Sequence, residues 1–176
     1  VIMKDLKALI RGVPDFPKKG ILFYDITTLL KDPEGLKQAA REMLEPFKGE
    51  RIDKIAAIES RGFILGGIIA CELGVGFVPF RKPGKLPAQT IREEYTLEYG
   101  TDCLEMHRDA VSPGERILVV DDLLATGGTA AAACRLVEKL GGVVVGCTFI
   151  VELTFLPGRQ ALPGRRLHAL MEFDHE

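Results

Sequence analysis

Apolar residues recur along the chain with two different periods. Met3, Leu6, Leu9 and Ile10 stand at helical spacing among charges, and Gly12 and Pro14 end the run, so a short surface helix is expected there. Asp32-Pro33-Glu34 reads as a second helix start, with an N-cap acid, a proline whose missing N–H is harmless in the first turn, and an acid at the positive helix end. Leu36, Ala39, Ala40, Met43, Leu44 and Phe47 then fall on one face, which predicts a scaffold helix running to about Phe47.

Elsewhere the apolar runs are short and unbroken. Ile52 to Ile58, Val75 to Phe80, Ile117 to Val120 and Val143 to Val151 read as strands covered on both faces, the habit of a parallel sheet. Ile52 to Ile58 ends on Glu59-Ser60-Arg61-Gly62 and feeds a helix of small residues, Phe63 to Leu73. Ile117 to Val120 is followed in the same way by a helix from about Gly128 to Leu140, stopped by Gly141-Gly142. Strand, loop and helix repeated in this way make an α/β fold with a doubly wound, mostly parallel sheet, whose ligands lie at the strand C-termini. Tyr95 to Tyr99 alternates as a short strand, Cys103 to His107 reads as its return, and His168 to Met171 as an edge strand. Phe63 to Phe80 is the only stretch long enough to resemble a membrane span, but Glu72, Gly74, Gly76 and Pro79 interrupt it.

Composition narrows the function. A chain of 176 residues fits one domain, and its formal charge of −2 is well mixed, which provides neither a basic field for nucleic acid nor a polybasic membrane patch. Any anion site must therefore be local. Cys71, Cys103, Cys134 and Cys147 form no C-x-x-C, and the three histidines add no zinc spacing, so reduced thiols and a cytoplasmic location are expected. No signal-peptide pattern is read at the start, and opening on Val1 suggests a short missing N-terminal piece.

The chemistry is densest in Ile117 to Thr129, I-L-V-V-D-D-L-L-A-T-G-G-T. A strand ends on two acids, and a loop of small and hydroxylated residues runs into a helix. Gly127 and Gly128 let backbone N–H groups approach an anion, and the positive helix end favours a phosphate. Asp121 and Asp122 are acceptors only, so they suit the hydroxyls of a ribose or a nearby Mg²⁺. A phosphorylated ribose satisfies both halves. Neither G-x-G-x-x-G nor G-K-[ST] is present, which excludes a Rossmann turn and a P-loop.

This run resembles the 5-phosphoribosyl-1-pyrophosphate (PRPP) motif of type I phosphoribosyltransferases, and D-D-L-L-A-T-G-G-T is most similar to the adenine phosphoribosyltransferases. The resemblance implies the type I phosphoribosyltransferase fold, with a small N-terminal hood at about 12–30 and a mobile lid at about 81–102. It implies that Asp121, Asp122, Ala125, Thr126, Gly127, Gly128 and Thr129 hold the ribose and phosphate. F-P-x-x-G-I-x-F-x-D-I is similar to the family's hood, so Phe23 is expected to stack on adenine. Backbone groups of Leu22 and Tyr24 then read its edge, and Leu153 packs on its other face. The loop Glu59, Ser60, Arg61 matches the family's pyrophosphate loop, often built on a cis peptide, and Arg61 is its one fixed cation.

The connection R-K-P-G-K-L-P-A-Q-T-I-R-E-E-Y-T-L-E-Y-G, rich in proline and charge, reads as a mobile lid rather than a packed element. By resemblance Lys82 and Lys85 approach the pyrophosphate, Arg81 is delivered across a dimer interface, and Glu98 of L-E-Y-G is the catalytic glutamate. The implied reaction is adenine plus PRPP giving AMP plus pyrophosphate, in purine salvage. Mg²⁺ would be carried mainly by the pyrophosphate and ribose hydroxyls, without a dedicated protein metal site, in a homodimer. Three rivals fit less well. A 6-oxopurine enzyme usually has Asp where this chain has Ala125. A PRPP-sensing regulator tends to add a nucleic-acid module and lose the lid glutamate, and a PRPP synthetase is longer and two-lobed.

Overall fold

The computed structural model of the chain describes residues 2–97 and 99–175. Along the chain come β1 (Arg11–Pro14), β2 (Leu22–Asp25), α1 (Thr27–Leu30), α2 (Pro33–Leu44), β3 (Lys54–Ile58), α3 (Gly62–Leu73) and β4 (Gly76–Phe80). They are followed by β5 (Thr90–Thr96), β6 (Thr101–His107), β7 (Arg116–Val120), β8 (Leu123–Leu124), α4 (Gly128–Lys139), β9 (Val143–Leu153) and β10 (Leu167–Phe173). Six strands form one parallel sheet in the order β10-β9-β7-β3-β4, with β8 against β9. Two hairpins, β1-β2 and β5-β6, stand off it.

The unbroken apolar runs are explained by burial on both faces. Ile55 and Ala57 of β3, with Leu118 and Val120 of β7, pack under α2 and α3. Ala56 and Ile58, with Ile117 and Val119, pack under α4 and the β5-β6 hairpin. Helices on opposite faces make the sheet doubly wound, as its repeated strand-loop-helix units imply. Asp32 caps α2, accepting from the Gly35 N–H at 2.7 Å.

Three local expectations change. The helix over Met3 to Ile10 shrinks to a 3-10 turn, Lys7–Leu9. Its backbone is drawn away: Lys4 exchanges two bonds with the Gln38 side chain, both 2.9 Å, and Asp5 accepts from the Lys7 N–H at 3.1 Å. The scaffold helix is α-helical only to Leu44 and continues as a 3-10 turn, Glu45–Phe47, because Pro46 has no N–H to extend the ladder. Phe47 is buried all the same.

The third change concerns the lid. β5 begins at Thr90 and ends at Thr96, so the strand expected at Tyr95 to Tyr99 starts earlier and stops sooner. Ile91, Glu93 and Tyr95 face the body of the protein, and Glu93 is gripped by Arg135 at 3.0 Å and by Lys139, both on α4. Leu97 N–H bonds to the Gly100 carbonyl at 2.9 Å, with Gly100 at φ 98°, and turns the chain into β6. Much of the expected loop is therefore a packed hairpin.

Candidate active site

β3 feeds α3 on one face of the sheet while the neighbouring β7 feeds α4 on the other, so the chain diverges between them at their C-terminal ends. Such a switch point opens a crevice without any special side chain. Here it is a cleft of about 240 Å³ lined by the 58–61 loop, Lys82 and the 121–130 run. The two loops touch: a Cβ on Gly62 would lie 3.1 Å from Asp121 Oδ1, a tight contact that glycine relieves where α3 starts beside the acidic pair. Arg61 Nε donates to Asp122 Oδ2 at 2.5 Å. Asp121 Oδ1 accepts from the Asp122 N–H at 2.8 Å. Burial, then the neighbouring Asp122 charge, pushes the Asp121 carboxyl well above the ordinary range.

The Glu59-Ser60 peptide is cis. Glu59 points at the lid, accepting from the Lys82 N–H at 2.5 Å, from Lys85 Nζ at 2.9 Å and from Arg81 at 3.5 Å. Burial alone would raise its pKa, but these donors more than offset it and hold Glu59 below the ordinary value. Arg81 Nε is buried and finds no partner among the described residues.

Beyond the acids, β8 carries the chain to Ala125, and Gly127 at φ 83° starts α4 with no side-chain cap. The first-turn N–H groups, which an N-cap side chain would otherwise satisfy, are left for an anion at the cleft wall. The loop's shape is set from outside. A Cβ on Gly127 would meet the Gly158 carbonyl oxygen at 2.4 Å, and a Cβ on Gly158 would meet that of Ala125 at 2.5 Å. Arg159, beside Gly158, is clamped by two 2.8 Å bonds to Glu152 on β9.

A second cavity, about 370 Å³ and mainly apolar, lies under the β1-β2 hairpin, lined by Val13, Phe16, Phe23, Asp25, Thr27 and Arg61. Phe16 and Phe23 meet edge to face at 5.1 Å. Asp25 accepts from the Thr27 hydroxyl at 2.7 Å, the Thr27 N–H at 2.8 Å and Arg11 Nε at 3.0 Å. Arg61 lines both cavities, so a molecule bridging them would meet a mainly apolar lining at one end and a polar, charged one at the other.

The comparisons with known proteins agree with this geometry. Residues 25–156 match the phosphoribosyl transferase domain family. The adenine phosphoribosyltransferase of Solibacter usitatus is 58% identical over 98% of this chain and 99% of its own. The chain belongs to the adenine phosphoribosyltransferases. Among solved structures of that family, the enzyme from Thermoanaerobacter pseudethanolicus superposes with a TM-score of 0.93 at 54% identity, covering 96% of this chain and 98% of that one. The Saccharomyces cerevisiae adenine phosphoribosyltransferase, solved with an imino-altritol bisphosphate and adenine, gives 0.90 at 40% identity, covering 95% and 97%.

In this member of the adenine phosphoribosyltransferase family, Glu59, Arg61, Lys82, Asp121, Asp122, Ala125, Thr126, Gly127 and Thr129 line one cleft. Ser60 is exposed at its rim, and Lys85 and Arg81 reach it through Glu59. Gly128 is turned toward Tyr95. Phe23 lines the hood cavity, whereas Tyr24 points the other way, stacked on Phe173 at 3.9 Å. Leu22 and Leu153 are not among the hood-cavity residues. Leu153 closes β9 opposite Phe173 and packs with the α2-side core. Glu98 lies outside the described residues.

Sequence reasoning gave no role of their own to Phe16 and Asp25, although both stand in the hood motif, and none to Thr27 in the hood or to Tyr95 and Asp102 beside Lys82. The D-I-T spelling at 25–27 was a usable signal, because an acid two residues before a threonine commonly closes a turn.

Proposed function

We propose that the chain transfers the 5-phosphoribosyl group of PRPP to N9 of adenine, giving AMP and pyrophosphate. The observation that carries this reading is the junction of the two cavities at Arg61. In the reaction, loss of pyrophosphate leaves an oxocarbenium-like ribose. The protein must then neutralise a departing polyanion on one side and aim the base at the anomeric carbon from the other.

Asp121 and Asp122 accept from the ribose hydroxyls, and the 125–129 loop with the first turn of α4 holds the 5′-phosphate. Arg61, with the Glu59-Ser60 loop, faces the pyrophosphate, exchanging its bond to Asp122 for phosphate oxygens as its fork geometry allows. Lys82 and Lys85 add to the polycation, and Arg81 is proposed to reach the pyrophosphate of a second copy of the chain across a dimer interface. Phe23 offers a face to adenine. The two-stranded hood sheet leaves β2 a free edge, on which residues two apart, such as Leu22 and Tyr24, present their backbone groups together. Leu153 is proposed for the far side of the base, and Glu98 for the proton that N9 loses.

Among the described residues no group of three or more His, Cys, Asp or Glu side chains comes together to hold a metal ion, and the cleft acids are engaged by Arg61 and by backbone. This donor set fits a Mg²⁺ that PRPP itself carries on its pyrophosphate and ribose hydroxyls. Its contribution when bound is to neutralise the departing charge.

We place the enzyme in the cytoplasm, a reading supported by four free thiols. No helix among the described residues is long and apolar enough to cross a membrane. A homodimer is supported by exposed apolar side chains, Ile64 on α3 at 45% and Phe77 on β4 at 36%, the latter packed edge to face on Phe63, which suit a second copy of the chain.

A steady-state assay of adenine, hypoxanthine, guanine and uracil with PRPP and Mg²⁺ tests the reading. Turnover of adenine alone is expected, and hypoxanthine turned over at a comparable rate would overturn it.

A further inference from the structure

Lys82 is held by two groups outside the substrate-binding set. Its Nζ donates to the Tyr95 hydroxyl at 2.5 Å and to Asp102 Oδ2, and Tyr95 donates to the same carboxylate oxygen at 3.1 Å. The triangle joins the segment after β4 to both strands of the β5-β6 hairpin, in which Tyr95 and Asp102 are register partners. Tyr95 is only 6% exposed. Its ring lies against the start of α4, with Cδ2 3.3 Å from where a Cβ of Gly128 would stand, and the Lys82 ammonium sits 5.2 Å from the ring centroid. One tyrosine thus touches the phosphate-loop helix with its ring and the lid lysine with its hydroxyl.

An ammonium has three N–H donors. Two are taken by Tyr95 and Asp102, and Lys82 also lines the cleft beside Asp121 and Thr129, so the third is left for an anion there. A lysine head on four rotatable carbons loses much entropy when it is fixed, and here Tyr95 and Asp102 do the fixing. Burial alone would lower the pKa of Lys82, but Asp102 and Tyr95 more than offset it, and the head stays charged.

We propose that Tyr95 and Asp102 are positioning residues for phosphoribosyl transfer. They orient the Lys82 ammonium toward the pyrophosphate, and Tyr95 ties that orientation to the α4 turn that holds the 5′-phosphate. The proposal rests on the reading of Lys82 as a pyrophosphate contact.

Tyr95→Phe keeps the ring on Gly128 and removes only the hydroxyl, while Asp102→Asn keeps the shape and removes the charge. With AMP and pyrophosphate as substrates, each is expected to lower kcat by about 5- to 20-fold. The KM for AMP and the Tm should stay near those of the parent. In a Lys82→Ala background each should add less than about twofold, because a residue acting through Lys82 has nothing left to orient. Parent kinetics in Tyr95→Phe, or a loss that recurs in full in the Lys82→Ala background, would overturn the positioning role. Normal turnover of pyrophosphate by Lys82→Ala would instead remove the reading of Lys82 on which it stands.

Discussion

Gly127 and Gly158 touch where neither has room for a side chain: a Cβ at 127 would lie 2.4 Å from the Gly158 carbonyl oxygen. Gly127 also holds φ 83°, a conformation that costs an L side chain about 1–2 kcal/mol. Gly127→Ala must therefore displace the 158–161 turn, and through it Ala125, opening the phosphate loop. We expect a loss of roughly 1–3 kcal/mol in stability and a weakening of AMP binding of about tenfold or more. Calorimetric titration with AMP checks it, and parent affinity in the alanine variant would show that the loop is not shaped by this contact.

Asp121 trades stability for binding. Its carboxyl is raised by burial and by Asp122, so the folded chain holds that proton more tightly than the unfolded chain does. The sign follows: its contribution to stability falls as pH rises above the ordinary carboxylate range. Asp121→Asn keeps an acceptor for the Asp122 N–H and removes the charge. A rise in Tm of about 2–4 °C near neutral pH is expected, equivalent to ~1 kcal/mol. PRPP binding should weaken by roughly 1.5–3 kcal/mol. A variant that melts lower at pH 7 and binds PRPP as the parent does refutes both halves.

The hood has the opposite pH dependence. Bonds from the Thr27 hydroxyl and N–H, and then from Arg11, lower Asp25 from 3.8 to about 2. A depressed folded pKa means that these bonds contribute fully above the unfolded value and are lost as pH falls toward 2. Carboxyl NMR should show Asp25 titrating near the low value, with Phe16 and Phe23 signals shifting in step. A midpoint at the unperturbed 3.8 would mean that Asp25 does not hold the hairpin.

Glu98 in L-E-Y-G is proposed to take the proton that adenine N9 gives up. Glu98→Gln keeps the shape and removes the base, so kcat should fall by roughly 10²–10⁴-fold with PRPP affinity little changed. Single-turnover measurements isolate the chemical step. Retention of more than about a third of the parent rate there would send the proton to water.

The run from Ile117 to Thr129 was legible because its chemistry is contiguous. An apolar strand, two acceptor-only acids and two glycines before a helix lie in one covalent stretch, and local rules of period and turn suffice to read them. The Asp32 cap on α2 and the doubly wound sheet were legible for the same reason. The lid was misread in part, because charge and proline dominate its composition while Ile91, Glu93 and Tyr95 form only a three-point face.

What tertiary structure decided is which distant groups meet. Arg61 and Asp122 are 61 positions apart, and their bond exists because β3 and β7 are neighbours. Lys82 meets Tyr95 and Asp102 where the β5-β6 hairpin lies against α4, and Gly158 reaches the 125–127 loop from a turn whose Arg159 is clamped to β9. A sequence states that a residue is a glycine, a lysine or an acid. Whether a carbonyl stands 2.4 Å from its missing side chain, or a carboxylate accepts a hydrogen bond from its ammonium, depends on packing between elements far apart along the chain.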